Sequence, residues 1–558
     1  MEPKNLNREM SPSIHDHFPF PTQRPTQTAA LTGVQKTFRE SDKKFFILEG
    51  PTGFGKSGIG VAAGSWAKTL SQVGRYEPGS YVLSPQKTLT AQYMADFKEM
   101  GMEELKGQAN YICHPGPEHE FDGMDCESAA ALFEDEHRDC CTGYKPAKRD
   151  FMNSPLGVTN FDYYLNETVH AGQLKPRNLL VLDEGHNCEN KILGFTDTEV
   201  TQKKCDKYDV PGRLPIFKAG DNAGVLNWLM GTYVPAVQVY LRDIDEKLAR
   251  ARANGMTEDK VRLVQEKNST DKYLRRIGYF SNTDRPGDWF CWSDWDEKKR
   301  TGTGNLTIKP LTATLFADDI LFRKSAKILI MSATILDFTT FMRNLGISRS
   351  DAEVMAVDSE FPLENRPIFY KPVGNMGYRT KQETMPKLAA MVEKILSHKN
   401  YGDKKGIVHT HSYEINRYLV AYLKSRGYGD RIVTHDNAKG ARDAAVLEHM
   451  TDMSRATVLF SPSMTEGLDL KEDLSRFQIL VKVPFPYLDP YVRARMQRDP
   501  AWYQWLTGLT LVQATGRSVR SKTDKAHTYI LDSGFGDFIS RNERNLPKWW
   551  IDSIIWPS

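Results

Sequence analysis

The segment Gly50-Pro-Thr-Gly-Phe-Gly-Lys56-Ser57 constrains this chain more than any other. It fits GxxxxGK followed by Ser or Thr, and it stands directly behind the apolar run Lys44-Phe-Phe-Ile-Leu48. The pattern requires a strand, then a loop whose backbone N–H groups wrap phosphates, then a helix whose N-terminus favours the anion. Residues Ile59 to Leu70 are the expected helix. In such a loop the lysine reaches the β and γ phosphates of a nucleotide, and the serine hydroxyl holds magnesium. Far along the chain, Gln513-Ala-Thr-Gly-Arg517-Ser-Val-Arg520 sets two arginines three residues apart. On a helix they share a face suited to a polyanion or to charge developing in phosphoryl transfer. Together the two segments imply a nucleotide cleft between two lobes.

At 558 residues the chain exceeds the roughly 250 to 300 at which one hydrophobic core stops growing, so several domains are expected. A net charge of +3 neither requires nor excludes nucleic acid, because a basic groove can be offset elsewhere on the surface. Met1 to His17 is polar and lacks the apolar core of a secretory signal, and no run approaches the ~18 to 20 apolar residues that span a bilayer. The reading is an intracellular protein, cytoplasmic or nucleoid-associated, with no membrane partner. Four of seven cysteines, Cys113, Cys126, Cys140 and Cys141, fall in one short window; clustered cysteines in a reducing compartment bind metal more often than they pair. Cys188, Cys205 and Cys291 read as ordinary thiols.

Further strands are expected at Tyr81-Val-Leu83, Leu179-Leu-Val-Leu182 and Ile328-Leu-Ile-Met331, with a helix carrying Leu89, Tyr93 and Phe97. Two insertions interrupt this alternation: the cysteine window, and a helical module in which Val237, Leu241, Ile244 and Leu248 recur at helical spacing. After residue 345 alternation resumes with Gly406-Ile-Val-His-Thr410, Ile432-Val433, Thr457-Val-Leu-Phe460, Phe477-Gln-Ile-Leu-Val481 and His527-Thr-Tyr-Ile-Leu531, implying a second α/β lobe.

Asp183-Glu184-Gly185-His186 follows the Leu179 strand. Read with the phosphate loop, Asp183 is assigned to magnesium and Glu184 to polarising the attacking water. His186 is a candidate link to the second lobe, and Ser332-Ala333-Thr334 offers two hydroxyls at a strand end. Gly467-Leu-Asp469 and the segment from Gln513 follow the order expected of a second motor lobe. Arg517 and Arg520 are directed to the γ phosphate, one as an arginine finger, a role worth roughly 10³ to 10⁵ in rate.

This order of motifs resembles superfamily 2 helicases, and within them the XPD-like and DinG-like group. Phe20-Pro-Thr-Gln-Arg24-Pro-Thr-Gln27 looks like that group's adenine-side motif, with Gln27 as the base contact. Leu105-Lys-Gly-Gln-Ala-Asn110-Tyr111-Ile-Cys113 is similar to the segment that brings in the first cysteine of its iron-sulfur domain, and Cys141-Thr-Gly-Tyr144 to the segment of the last. Val158-Thr-Asn-Phe161 and Glu364-Asn-Arg-Pro367 also fall in family order. The resemblance implies an α/β fold of two RecA-like parallel-sheet lobes, divided as 18–104, 151–194 and 306–345 for the first lobe and 346–558 for the second. An iron-sulfur insertion would occupy 105–150 and an arch-like helical insertion 195–305. Gly50, Pro51, Thr52, Gly53, Phe54, Gly55, Lys56 and Ser57, with Gln27, Gly467 and Asp469, would bind ATP; Ser57 and Asp183 would hold magnesium; Lys56, Asp183, Glu184, His186, Gln513, Arg517 and Arg520 would be catalytic.

The implied activity is ATP-driven 5′ to 3′ translocation of a monomer on single-stranded and forked DNA. The chain departs from the family pattern in reading Asp-Glu-Gly-His where the family has Asp-Glu-Ala-His, a small change beside the carboxylates. Its last two cysteines are adjacent, so that one can idle while His114 or His137 substitutes. Cys113, Cys126, Cys140 and Cys141 are expected to hold a four-iron four-sulfur cluster, with zinc or free thiols as alternatives. No appended nuclease domain is expected, which favours a minimal motor. Tyr111, Lys145, Lys148 and Arg149 are candidate DNA contacts, and Asp288-Trp-Phe-Cys-Trp-Ser-Asp-Trp295 reads as a strand packed on core. An ATP-dependent switch that remodels complexes without separating strands, and an RNA motor, are the competing readings.

Overall fold

The computed structural model describes residues 12–70, 75–253, 257–296, 299–463, 470, 472–516, 518–519 and 521–557. In chain order the first ten strands are β1 (Phe45–Glu49), β2 (Glu77–Ser84), β3 (Met102–Glu104), β4 (Leu156–Asn160), β5 (Arg177–Leu182), β6 (Thr198–Val200), β7 (Trp289–Ser293), β8 (Leu306–Pro310), β9 (Ser325–Ser332) and β10 (Ala352–Ala356). A parallel sheet joins seven of them in the order β10-β1-β9-β5-β2-β4-β3. Every residue of β1 and β5 is buried, as both faces of a parallel sheet are covered. That explains the uninterrupted Phe-Phe-Ile-Leu of β1. The polar start of β5 is accommodated by hydrogen bonds, Arg177 donating to the carbonyls of Ser80, Phe151 and Met152.

The second lobe repeats the architecture. β11 (Ile368–Gly374), β12 (Gly406–His409), β13 (Ile432–Thr434), β14 (Val458–Ser461), β15 (Phe477–Leu480), β16 (His527–Asp532) and β17 (Ile554–Ile555) form a parallel sheet ordered β13-β14-β12-β15-β16-β11-β17. The two α/β lobes expected from the sequence are present.

The second insertion is mixed rather than helical. Helices Val234–Ala253 and Thr257–Ser281 accompany an antiparallel sheet ordered β6-β8-β7. The tryptophan-rich segment is indeed a strand: Trp289 is buried, whereas Trp292 faces the other way and stacks on Tyr491. β8, which ends at Pro310, pairs with β6 in this sheet, and β10, which ends at Ala356, pairs with β1 in the first-lobe sheet. Strand propensity marks both segments as extended but carries no information about which sheet completes their hydrogen bonds.

The lobes share a core. Helix Pro500–Thr515 of the second lobe buries Trp502, Tyr503, Trp505 and Leu509 among first-lobe residues such as Ile335, Phe341 and Leu345. Among the described residues no helix is long and apolar enough to cross a membrane.

Candidate functional site

Since every strand of the first sheet runs the same way, the C-terminal ends of β1, β9, β5 and β2 line one edge, where open parallel sheets carry ligands. Register pairs Glu49 with Ser332 and Leu182 with Ile330. The chain then turns: the Gly50 N–H donates to the Ser332 carbonyl at 2.9 Å, and Gly53 and Gly55 take φ of 79° and 86°. Only glycine enters this left-handed region without strain. Gly55 caps helix Lys56–Trp66, and the Lys56 Nζ arches back to donate to the Gly50 carbonyl at 3.0 Å.

The loop is fastened from the N-terminal side. Arg24 Nη2 donates to the Gly53 and Phe54 carbonyls, each at 2.9 Å, and Gln27 Nε2 donates to Phe54 at 2.9 Å. Gln27, expected at the base, is only 5% exposed, and its Oε1 accepts the Arg24 N–H. One end of its carboxamide thus holds the loop and the other holds Arg24, which grips the same loop.

Asp183 is buried beside this loop. Burial, and then the adjacent Glu184 charge, push its carboxyl up to about 6 against the pull of Lys56. It accepts from the Glu184 N–H at 2.9 Å and from the Tyr93 hydroxyl at 2.8 Å. The Ser57 side chain also acts on this phenol and lowers its pKa, so Tyr93 stands close to both residues assigned to magnesium. Burial holds that phenol well above its ordinary value. Sequence gave Tyr93 no role, because it lies on a separate helix with no motif around it. Gly185 fits its place: an added Cβ would stand 2.3 Å from Ile330 Cγ2. The glycine is therefore matched to Ile330 rather than merely tolerated.

Glu49, which sequence reasoning passed over, is 5% exposed, and its Oε2 accepts the N–H groups of Ile335 and Leu336. Burial pushes its carboxyl up to about 7. A carboxylate ending an otherwise apolar strand was the available signal.

A hydrogen-bonded chain leads from this edge into the second lobe. His186 Nδ1 lies 2.7 Å from Ser332 Oγ, while its Nε2 accepts from Asn187 at 3.0 Å and Gln513 at 2.8 Å. Two amide donors on Nε2 require the neutral tautomer with the proton on Nδ1. Gln513 also donates to Thr334 Oγ1 at 3.0 Å. Next to this chain, Glu189 and Arg495 form an ion pair across the lobes, each side chain 5% exposed, with Trp502 stacked on the guanidinium at 4.0 Å. A cavity of about 50 Å³ separates Pro51 and Thr52 from Phe361, Arg366, Gly516 and Trp549. Gly467, Asp469, Arg517 and Arg520 lie outside the described residues.

In the first insertion, Cys113, Cys126, His137 and Cys141 bring their ligand atoms within 4.8 Å of one another, all four residues buried. Cys140, grouped with them by sequence, is half-buried and outside the group; His137 takes its place. The reason is local: Cys140 ends helix Glu134–Cys140 while Cys141 leaves it with extended backbone, so the neighbouring thiols diverge. Burial pushes the Cys126 thiol up to about 12. Of the candidate DNA contacts, Lys148 is engaged by Glu167 at 3.2 Å and the Tyr111 hydroxyl accepts the Lys106 N–H at 3.0 Å. Lys145 donates to the Arg138 carbonyl, and Arg149 is exposed beside Asp150.

A phosphate-binding loop, an acidic strand end and a second parallel-sheet lobe whose Gln513 reaches their edge define a two-lobed P-loop protein of RecA-like architecture. Residues 21–208 match the family model described as type III restriction enzyme, res subunit, and residues 395–553 match the helicase C-terminal domain. An ATP-dependent DNA helicase DinG of Photobacterium profundum is 22% identical over 264 residues, 43% of this chain and 36% of the relative. An ATP-dependent DNA helicase YoaA of Haemophilus influenzae is 24% identical over 240 residues, 41% of this chain and 36% of the relative. The chain thus aligns with about a third of the length of these curated relatives. A solved XPD helicase superposes with a TM-score of 0.62 at 14% identity, covering 96% of this chain and all of the other, and an XPD protein of S. tokodaii does so with 0.58 at the same coverage and identity. In these matches the chain is similar to superfamily 2 helicases of the XPD- and DinG-like group.

Proposed function

We propose that this protein is an ATP-dependent DNA helicase that moves 5′ to 3′ along single-stranded DNA and opens forked duplexes by closing one lobe on the other. The observation that carries the reading is the Gln513 side chain, which belongs to the second lobe yet bonds His186 and Thr334 at the strand ends of the first. A motor needs such a joint, since a change at the phosphate site must alter the relation of two bodies that grip the strand.

Bound magnesium ATP would supply the phosphoanhydride whose cleavage drives the cycle. Lys56 and the N–H groups of Thr52 to Ser57 would neutralise and orient phosphate oxygens, Ser57 and Asp183 would hold the metal, and Glu184 would polarise water. Arg517 and Arg520 are assigned to the charge that develops on the γ phosphate, and Gly467 and Asp469 to nucleotide binding, from their place in the sequence. Neutral His186 reports the state of Ser332 and Glu184 to Gln513. The cysteine insertion, closed by a metal, and the arch flank the path of the strand. The names of the DinG and YoaA relatives support DNA as the track.

Strand displacement on duplexes with a 5′ or a 3′ tail tests the proposal. ATP-dependent displacement of the 5′-tailed substrate alone is expected. Binding and DNA-stimulated hydrolysis with no displacement would favour a remodelling switch instead, and displacement from RNA tails alone would make the track RNA.

A further inference from the structure

The donor atoms of the first insertion converge closely enough to share a single ion. Cys113 Sγ lies 3.0 Å from Cys126 Sγ, 3.6 Å from Cys141 Sγ and 3.2 Å from His137 Nε2, and Cys126 and Cys141 are 3.9 Å apart. A tetrahedral zinc with Zn–S near 2.3 Å places neighbouring thiolates about 3.8 Å apart, since a tetrahedron's edge is about 1.6 times its centre-to-corner length. A four-iron cubane instead holds each thiolate on a separate iron, with the inorganic core between them, and its usual donors are four cysteines. Three thiols and one imidazole converging within 4.8 Å are a donor set suited to tetrahedral zinc and not the four thiolates that usually hold that core.

The surrounding backbone points the same way. Cys126 Sγ accepts the Tyr144 N–H at 3.3 Å and Cys141 Sγ the Lys145 N–H at 3.5 Å, contacts that stabilise thiolate charge. The His137 ring is fixed by Phe121, 5.4 Å away edge to face. The segment Cys113–Gly123 is closed by main-chain hydrogen bonds, Cys113 to Met124 and Gly123 to Cys113, so the first ligand sits on a rigid turn. Cys140 remains beside the group as a half-buried spectator.

We propose that Cys113, Cys126, His137 and Cys141 bind one zinc ion in a closed tetrahedral site, in place of the iron-sulfur cluster implied by the family resemblance. Zinc has no redox chemistry, so the insertion acts as a fixed staple and not as an electron-transfer element. This assignment is independent of the helicase reading.

The test is metal analysis of the full-length protein purified anaerobically and expressed with both iron and zinc supplied. One zinc per chain, with no visible absorption, is the expected result, together with the intense visible bands of tetrahedral cobalt after exchange with Co²⁺. His137→Ala and Cys113→Ser should lose the ion; Cys140→Ser and His137→Cys should keep it. Approximately four irons per chain with a broad band near the visible, no bound metal, or loss of metal in Cys140→Ser would each overturn the proposal. The wild-type metal count decides the matter even if a ligand variant fails to fold.

Discussion

The phosphate loop and the cysteine insertion are both short turns that present ligand atoms, yet they are held in opposite ways. The loop stands on an extended core that includes Phe46, Leu48, Phe54, Ile59, Val61 and Trp66, and it is pinned by Arg24, Gln27 and Ser332 from elsewhere in the chain. The insertion has a core of five buried residues, Cys113, Phe121, Cys126, Ala129 and Cys141, three of which are the thiols themselves. The first site is built before its ligand arrives. The second has little apolar surface of its own, so the ion proposed for it would be part of its structure. A sheet edge therefore preorganises chemistry, whereas a small insertion borrows its order from what it binds.

Stripping the metal from the folded protein breaks the contrast most directly. Amide exchange of residues 105–150 should become nearly unprotected while β1, β5 and β9 keep their protection. Equal loosening of both regions would show that the insertion is integral to the lobe. In the other direction, Lys56→Ala should lower DNA-stimulated ATP hydrolysis by at least about a hundredfold with metal content unchanged, measured as steady-state phosphate release.

The joint between lobes should be costly to break because it is buried. Glu189→Ala strands the Arg495 charge, and a loss of about 3 to 5 kcal/mol in denaturant unfolding is expected. The double variant Glu189→Leu with Arg495→Met should recover most of that loss. A smaller effect is expected at Glu49. The folded protein holds this proton more tightly than the unfolded chain, whose carboxyl stays near 4.5, so the contribution is complete below that value and is lost as pH rises through about 7. Relative to wild type, Glu49→Gln should gain roughly 2 to 3 kcal/mol between pH 4.5 and 7.5. A flat difference across that window would show that the carboxyl titrates normally.

Much of the nucleotide site was legible because it is local. A strand, a glycine-rich turn and a helix follow one another within Phe45 to Trp66, and Asp183 ends an apolar run. The short β3, the polar-ended β4 and the edge strand β10 escaped because their extended backbone is completed by partners far away in sequence. Tyr93 and Glu49 escaped for a related reason: what defines them is the group they meet, Asp183 and the turn at Ile335, and neither neighbour is near in sequence. Between Cys140 and His137, composition favoured the thiol and geometry chose the imidazole.

The sequence by itself determined the two-lobed α/β class, the phosphate loop and the acidic strand end, since each depends on hydrophobic period and on residues within a few positions of one another. Tertiary structure alone decided which sheet owns β8 and β10, which donors face inward in the insertion, and that Gln513 closes on His186. The physical reason is that hydrogen bonds and ligand sets are satisfied in space, so their partners are fixed only when the sheets and helices have packed.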